Sequence, residues 1–182
     1  MVLRILRLLA NARVVLWGFL IISILSLTAA LISEHVFGLR PCQLCIYQRY
    51  PFVVVIGISI AGLMIARHST LGAMGVIALC ALTFAVNAGI AFHHTGVEQG
   101  WWSSFSAGCK VDVMPTGSVE DILRKLESEP AVPCDKIPWQ DPVLGLSMAA
   151  HNTLLNIGLF VISLISIALI NRTRSPKLDI RA

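Results

Sequence analysis

The chain has 182 residues, of which 56% are hydrophobic and only 13% charged, a balance that excludes an ordinary soluble globular domain. Its formal charge of +4 does not argue for nucleic acid, because the basic residues gather at the ends of apolar runs and form no stripe interleaved with aromatic rings. What remains is a membrane protein whose length is consumed by runs of about 20 apolar residues, roughly what a helix needs to cross about 30 Å of hydrocarbon.

Taken in order, Arg4, Arg7 and Arg13 precede an uncharged run from Val14 to Ser33. A basic start and an apolar core also mark a secretory signal, and Thr28-Ala29-Ala30 offers small residues. The run nevertheless exceeds the usual signal core of about 7 to 15 residues, so it reads as a retained first span. A short polar link follows, containing Pro41-Cys42-Gln43-Leu44-Cys45-Ile46-Tyr47-Gln48-Arg49. The second span runs from Tyr50 to Ala66 between Arg49 and Arg67, with Tyr47, Tyr50 and Phe52 at the interface that aromatic rings favour.

A very short turn, Arg67 to Thr70, leads to a third span from Leu71 to about Phe92, which carries Cys80 and Asn87 and is followed by His93 and His94. The long polar segment after it holds Cys109 and Cys134 and is interrupted by Pro115, Pro130, Pro133, Pro138 and Pro142. Within it, Ser118 as N-cap and the apolar face of Val119, Ile122, Leu123 and Leu126 predict a short helix, either packed on the span ends or lying flat on the bilayer. A fourth span runs from about Met148 to Ile170, and His151, Asn152 and Asn156 in its first turns call for protein or water around them. The expected fold is an all-α bundle of four transmembrane helices forming one domain over residues 1–182, with spans at about 14–33, 50–66, 71–92 and 148–170 and loops at 34–49 and 93–147.

Charge sets the expected orientation. Arg4, Arg7, Arg13, Arg67, Arg172, Arg174, Lys177 and Arg181 share one side with Asp179 alone, whereas the other side carries six basic against nine acidic residues. By the positive-inside rule both termini and the short turn are cytoplasmic. Cys42, Cys45, Cys109 and Cys134 then all face outward, into a compartment where disulfides persist.

Five cysteines divide into two pairs and a singleton. A helical Cys-x-x-Cys lowers the pKa of one thiol, and Arg49, four residues beyond Cys45, adds a cation on the same face, so a reactive thiolate is chemically reasonable. A structural disulfide, or half of a zinc site completed by His93, His94, Cys109 and Cys134, are the alternatives for Cys42 and Cys45. Arg49 alternatively snorkels to headgroups. Cys109 and Cys134, in proline-rich surroundings, either brace the loop or form an exposed, exchangeable disulfide. Cys80, alone in an apolar run, reads as a small buried hydrophobe.

Four spans, two outward cysteine pairs, Cys-Gln-Leu-Cys-Ile-Tyr-Gln-Arg at the head of the second span and Leu144-Gly145-Leu146-Ser147-Met148 before the fourth together resemble the DsbB family of quinone-dependent disulfide oxidases. The resemblance implies an enzyme of the bacterial inner membrane that reoxidises a periplasmic DsbA-like thiol protein and reduces ubiquinone or menaquinone. It implies that Cys109 receives the partner's attack, that Cys134 then reaches Cys42, and that Cys45 is left as a thiolate facing the quinone beside Arg49. His94 matches a family histidine near the quinone, with His93 as the competing candidate; no metal is implied. The tracts Gly96 to Trp102 and His151-Asn152-Thr153 depart from the family pattern, so the resemblance names neither the particular quinone nor the particular partner. The alternative from another class is a tetraspan scaffold with purely structural disulfides.

Overall fold

The computed structural model describes residues 2–105, 109 and 132–174. Six helices occur among them: α1 (Val2–Leu9), α2 (Ala12–His35), α3 (Gln43–Tyr47), α4 (Arg49–Ile65), α5 (Thr70–Glu98) and α6 (Met148–Arg174). The described residues contain no strand, only one isolated antiparallel bridge between Gln140 and Ser147. Among the described residues, Ala12–His35, Gln43–Ile65, Thr70–Glu98 and Met148–Arg174 are the four helices long and apolar enough to cross a membrane. The helix expected between Ser118 and Leu126 lies outside the described residues.

Helix boundaries follow from local chemistry. Asn11 separates α1 from α2 because its side chain accepts the Arg13 N–H, capping the longer helix and leaving Arg4 and Arg7 on a short helix of their own. Pro51 lies in the first turn of α4, where its missing N–H is tolerated, and the helical hydrogen bond it would otherwise make back to Tyr47 is absent. The chain therefore steps from α3 to α4 through Gln48. Ser69 caps α5 by accepting the Gly72 N–H at 3.0 Å. At its other end α5 runs past Phe92 through both histidines to Glu98, longer than hydropathy alone suggests, and closes with Gly100 at φ +72°.

The helices pack α2 against α4, α4 against α5 and, most extensively, α5 against α6. Leu16 and Phe19 of α2, Phe52 and Val55 of α4, Ile77 and Phe84 of α5 and Leu159 of α6 form the apolar centre. Phe19 meets Phe84 edge to face, ring centroids 5.1 Å apart. Cys80 is buried in this centre, with Ser59 its polar neighbour at 3.9 Å. Ser23, Ser59, Ser163 and Ser166 are also buried, small residues that let helix backbones approach in a bilayer. Large apolar residues such as Ile21, Val53, Leu82, Val86, Leu154 and Val161 point outward, as a lipid-facing surface requires. At one end of the bundle Arg13 donates to the Ala66 carbonyl from two nitrogens at 3.3 Å, tying the start of α2 to the end of α4. The thiols occupy the opposite end.

Candidate functional site

Cys42 is the N-cap of α3, and its sulfur accepts the Cys45 N–H at 3.3 Å. The two-residue spacing returns Cys45 to the same side of the turn, with the sulfurs 2.8 Å apart, inside van der Waals contact. His94, near the end of α5, points its Nε2 at the Cys42 sulfur from 3.4 Å. The Cys42 thiol is held well below the usual range, at about 4, first because the Cys45 thiol donates to its sulfur, with His94 and the Cys45 N–H adding to this against the cost of burial.

Cys109 and Cys134 are joined in a disulfide. Both are buried, packed with Cys42, Leu44 and Val97, and Val132 lies over them. Of the two readings left open for this pair, an exposed disulfide is not what the structure shows: the sulfurs complete a small apolar cluster with Leu44 of α3 and Val97 of α5. Cys42 thus shares one cluster with Cys45 and the second pair, and the Cys134 backbone also reaches His94.

His93 and His94 part company. His93 stacks on Trp102 at 5.8 Å and meets Phe105 at 4.5 Å, away from the thiols. Trp102 in turn donates to the His93 carbonyl and lies so close over Gly96 that a Cβ there would overlap the ring. His94 is 3% exposed and lies between Cys42 and Glu98, whose carboxylate is 3.7 Å from Nε2 and accepts a hydrogen bond from Ser147. Cys42, Cys45 and His94 bring ligand atoms within 4.8 Å of one another. The wider zinc set is not assembled, since Cys109 and Cys134 are bonded to each other and His93 faces the tryptophan.

Beside Cys45 a cavity of about 530 Å³ opens between α2, α4, α5 and α6. Leu27, Ala30, Phe52 and Leu155 give it an apolar wall, and Gln48, Arg49, His94 and Glu98 add polar groups to its lining. Arg49 is not a free snorkelling cation: it pairs with Glu34 of α2 at 2.6 Å, which fixes the guanidinium at the cavity. Gln48 completes the setting, buried and hydrogen-bonded to His94 Nδ1 at 2.8 Å. Sequence reading singled out Cys42, Cys45, Arg49 and His94, which converge here, but passed over Gln48, Glu34 and Glu98. Glu98 carried a local signal, four residues after His94; Glu34 and Gln48 carried none, because their partners come from other helices.

Residues 12–166 match the family model described as Disulfide bond formation protein DsbB. The chain is 30% identical over 152 residues to Disulfide bond formation protein B of Stutzerimonas stutzeri (strain A1501), covering 78% of this chain and 86% of that one. It is 31% identical over 141 residues to an uncharacterized protein of Rickettsia prowazekii (strain Madrid E), covering 77% and 78%. A third relative, Disulfide bond formation protein B of Herminiimonas arsenicoxydans, is 32% identical over 106 residues, covering 58% of this chain and 63% of that one. No solved structure matches the chain.

Proposed function

This chain belongs to the DsbB family, a multi-pass inner-membrane protein, and on that premise we propose that it reoxidises a periplasmic DsbA-like dithiol protein and passes the electrons through two cysteine pairs to a quinone. The observation that carries the reading is the position of Cys42, 2.8 Å from the Cys45 sulfur and in the same buried cluster as the Cys109–Cys134 disulfide, with Cys45 opening onto the cavity.

The cavity suits a flat ring with an apolar tail, since its exposed lining is mostly apolar and it also carries Cys45, Gln48, Arg49, His94 and Glu98. Arg49 and His94 would hold the ring next to Cys45. A bound quinone, ubiquinone or menaquinone, supplies an acceptor for the two electrons and two protons released when the Cys42–Cys45 bond forms.

The thiol steps are successive displacements. The partner's thiolate attacks Cys109, breaking the Cys109–Cys134 bond, and the expelled Cys134 thiolate attacks Cys42 and releases Cys45. The partner's second thiolate then resolves its mixed disulfide, leaving as the oxidised protein and freeing Cys109. Cys109 attacks Cys134, restores the outer bond and expels Cys42. A thiol with a depressed pKa leaves fastest, and Cys42, at about 4, is suited to that last departure. The arrangement found here, Cys109–Cys134 joined and Cys42 and Cys45 free, corresponds to the product of that step. Proximity supports the relay, since Cys42 lies in one buried cluster with Cys109 and Cys134 and its sulfur is 2.8 Å from that of Cys45.

We place both termini and the turn after α4 in the cytoplasm and the thiol end in the periplasm, with residues 1–182 acting as a single membrane domain. Support comes from the excess of basic residues at the end where Arg13 meets Ala66. The test is to mix the purified protein with a reduced DsbA-like protein and quinone and to follow quinone absorbance. One quinone is expected to be reduced per partner disulfide formed; no reduction with either quinone class overturns the proposal.

A further inference from the structure

Below His94 a line of amide side chains descends into the bundle. Gln48 Nε2 donates to His94 Nδ1 at 2.8 Å, and Gln48 Oε1 accepts from Asn152 Nδ2 at 2.6 Å. Asn152 Oδ1 accepts from Asn156 Nδ2 at 2.8 Å, and Asn87 Nδ2 donates to Asn156 Oδ1 at 3.2 Å. Gln48 is 6% exposed and Asn87 and Asn156 are fully buried, so none of the three turns to water for a partner. Polar groups at such depth are costly unless hydrogen-bonded to one another, and four in a row exceed what packing an apolar bundle calls for.

The polarity of the line follows from two contacts with backbone carbonyls, which only accept. Gln48 Nε2 also donates to the Leu44 carbonyl at 3.2 Å, and Asn156 Nδ2 to the Asn152 carbonyl at 2.8 Å. Turning either amide over would set its oxygen against a carbonyl oxygen. With both fixed, Asn152 is oriented from both sides, and every amide donates toward His94. Nδ1 of His94 must then be the unprotonated acceptor, which leaves the proton on Nε2, the nitrogen that faces the Cys42 sulfur.

We infer that Gln48, Asn152 and Asn156 form a hydrogen-bond chain of fixed direction that holds His94 as its Nε2–H tautomer, making the neutral imidazole a standing donor to the Cys42 sulfur. The inference deepens the disulfide-oxidase reading and takes its catalytic meaning from it: a thiolate stabilised without a buried imidazolium leaves readily in exchange yet is not locked in a tight ion pair. The amides are positioning residues, acting on sulfur through His94. Among the described residues, the ionisable groups that face Cys42 and His94 are Cys45 on α3 and Glu98 on α5; Arg49, paired with Glu34, and His151 on α6 line the adjoining cavity.

The test reads Cys42 alone. In the full-length protein with Cys42 and Cys45 reduced, the iodoacetamide alkylation rate of Cys42 is followed against pH by site-resolved mass spectrometry. Because a lost donor disfavours the thiolate, the midpoint moves up. Gln48→Met and Asn156→Leu are each expected to raise it by about one pH unit or more, and His94→Ala by at least as much. Midpoints unchanged in both amide variants overturn the inference. Should a variant fail to fold, the wild-type protein answers by itself: the ¹⁵N resonances of His94 are expected to show a bare Nδ1 and a protonated Nε2 at neutral pH, and the opposite tautomer or an imidazolium overturns the inference. Neither assay contains quinone or partner, so its result is separable from failure of oxidase turnover.

Discussion

Serine in place of Cys45 is expected to slow quinone reduction by at least about a thousandfold, because the reacting sulfur is lost and a hydroxyl neither ionises near neutral pH nor forms the bond that releases two electrons. Cys45 lines the cavity, and its backbone N–H is what caps toward the Cys42 sulfur. Serine keeps that N–H and fits the same turn, so the variant should still insert and fold, as thermal denaturation in detergent would check. Full turnover without Cys45 would leave the two cysteine pairs as mere braces of a tetraspan scaffold.

Alanine at Cys109 is expected to divide the reaction in two. Turnover driven by a reduced DsbA-like protein should fall by at least about a thousandfold, since no outer disulfide remains for the partner's thiolate to attack. Turnover driven by a small dithiol such as dithiothreitol should stay within about threefold, because such a reagent reduces the Cys42–Cys45 bond directly. The distinction rests on the two pairs being adjacent but separate, with Cys109 and Cys134 clustered with Cys42 and only Cys45 of the four lining the cavity. Equal loss with both reductants would mean that the pairs act as one structural unit. Removing this disulfide, which closes a separation of 25 residues, also removes a cross-link worth about 3.5 kcal/mol in the chain-entropy model, so insertion of the variant is checked alongside.

Much of this was legible in the chain itself, for identifiable reasons. Long apolar runs and a two-residue cysteine spacing are local signals, and local signals survive folding: four apolar helices of membrane-crossing length and the Cys42–Cys45 turn are present, with α5 running on to Glu98 beyond the apolar run. The choice between His93 and His94 was not legible, because adjacent residues on one helix face different neighbours and those neighbours, Trp102 and Cys42, come from elsewhere in the chain. The amide line was still less so. Asn152 and Asn156 signalled buried polarity, but Gln48 stands 104 positions from Asn152, and nothing near Gln48 in the chain announces that partner. Arg49 was read as a cation near a thiol; its pairing with Glu34 across two helices is a tertiary fact. The burial of the Cys109–Cys134 disulfide could not be chosen over exposure from the chain, because proline content speaks to regular structure and says nothing of what the sulfurs pack against.

The central claim is that the Cys42–Cys45 dithiol gives its electrons directly to a quinone. The most direct measurement uses the purified protein, reduced at Cys42 and Cys45 with Cys109–Cys134 intact, mixed without oxygen with one equivalent of quinone. Quinone absorbance is followed while quenched samples are mapped by mass spectrometry. Loss of one quinone per protein in step with appearance of the Cys42–Cys45 cross-link is the predicted result. Formation of that cross-link with the quinone unconsumed, or consumption of quinone with both thiols still free, would contradict the account.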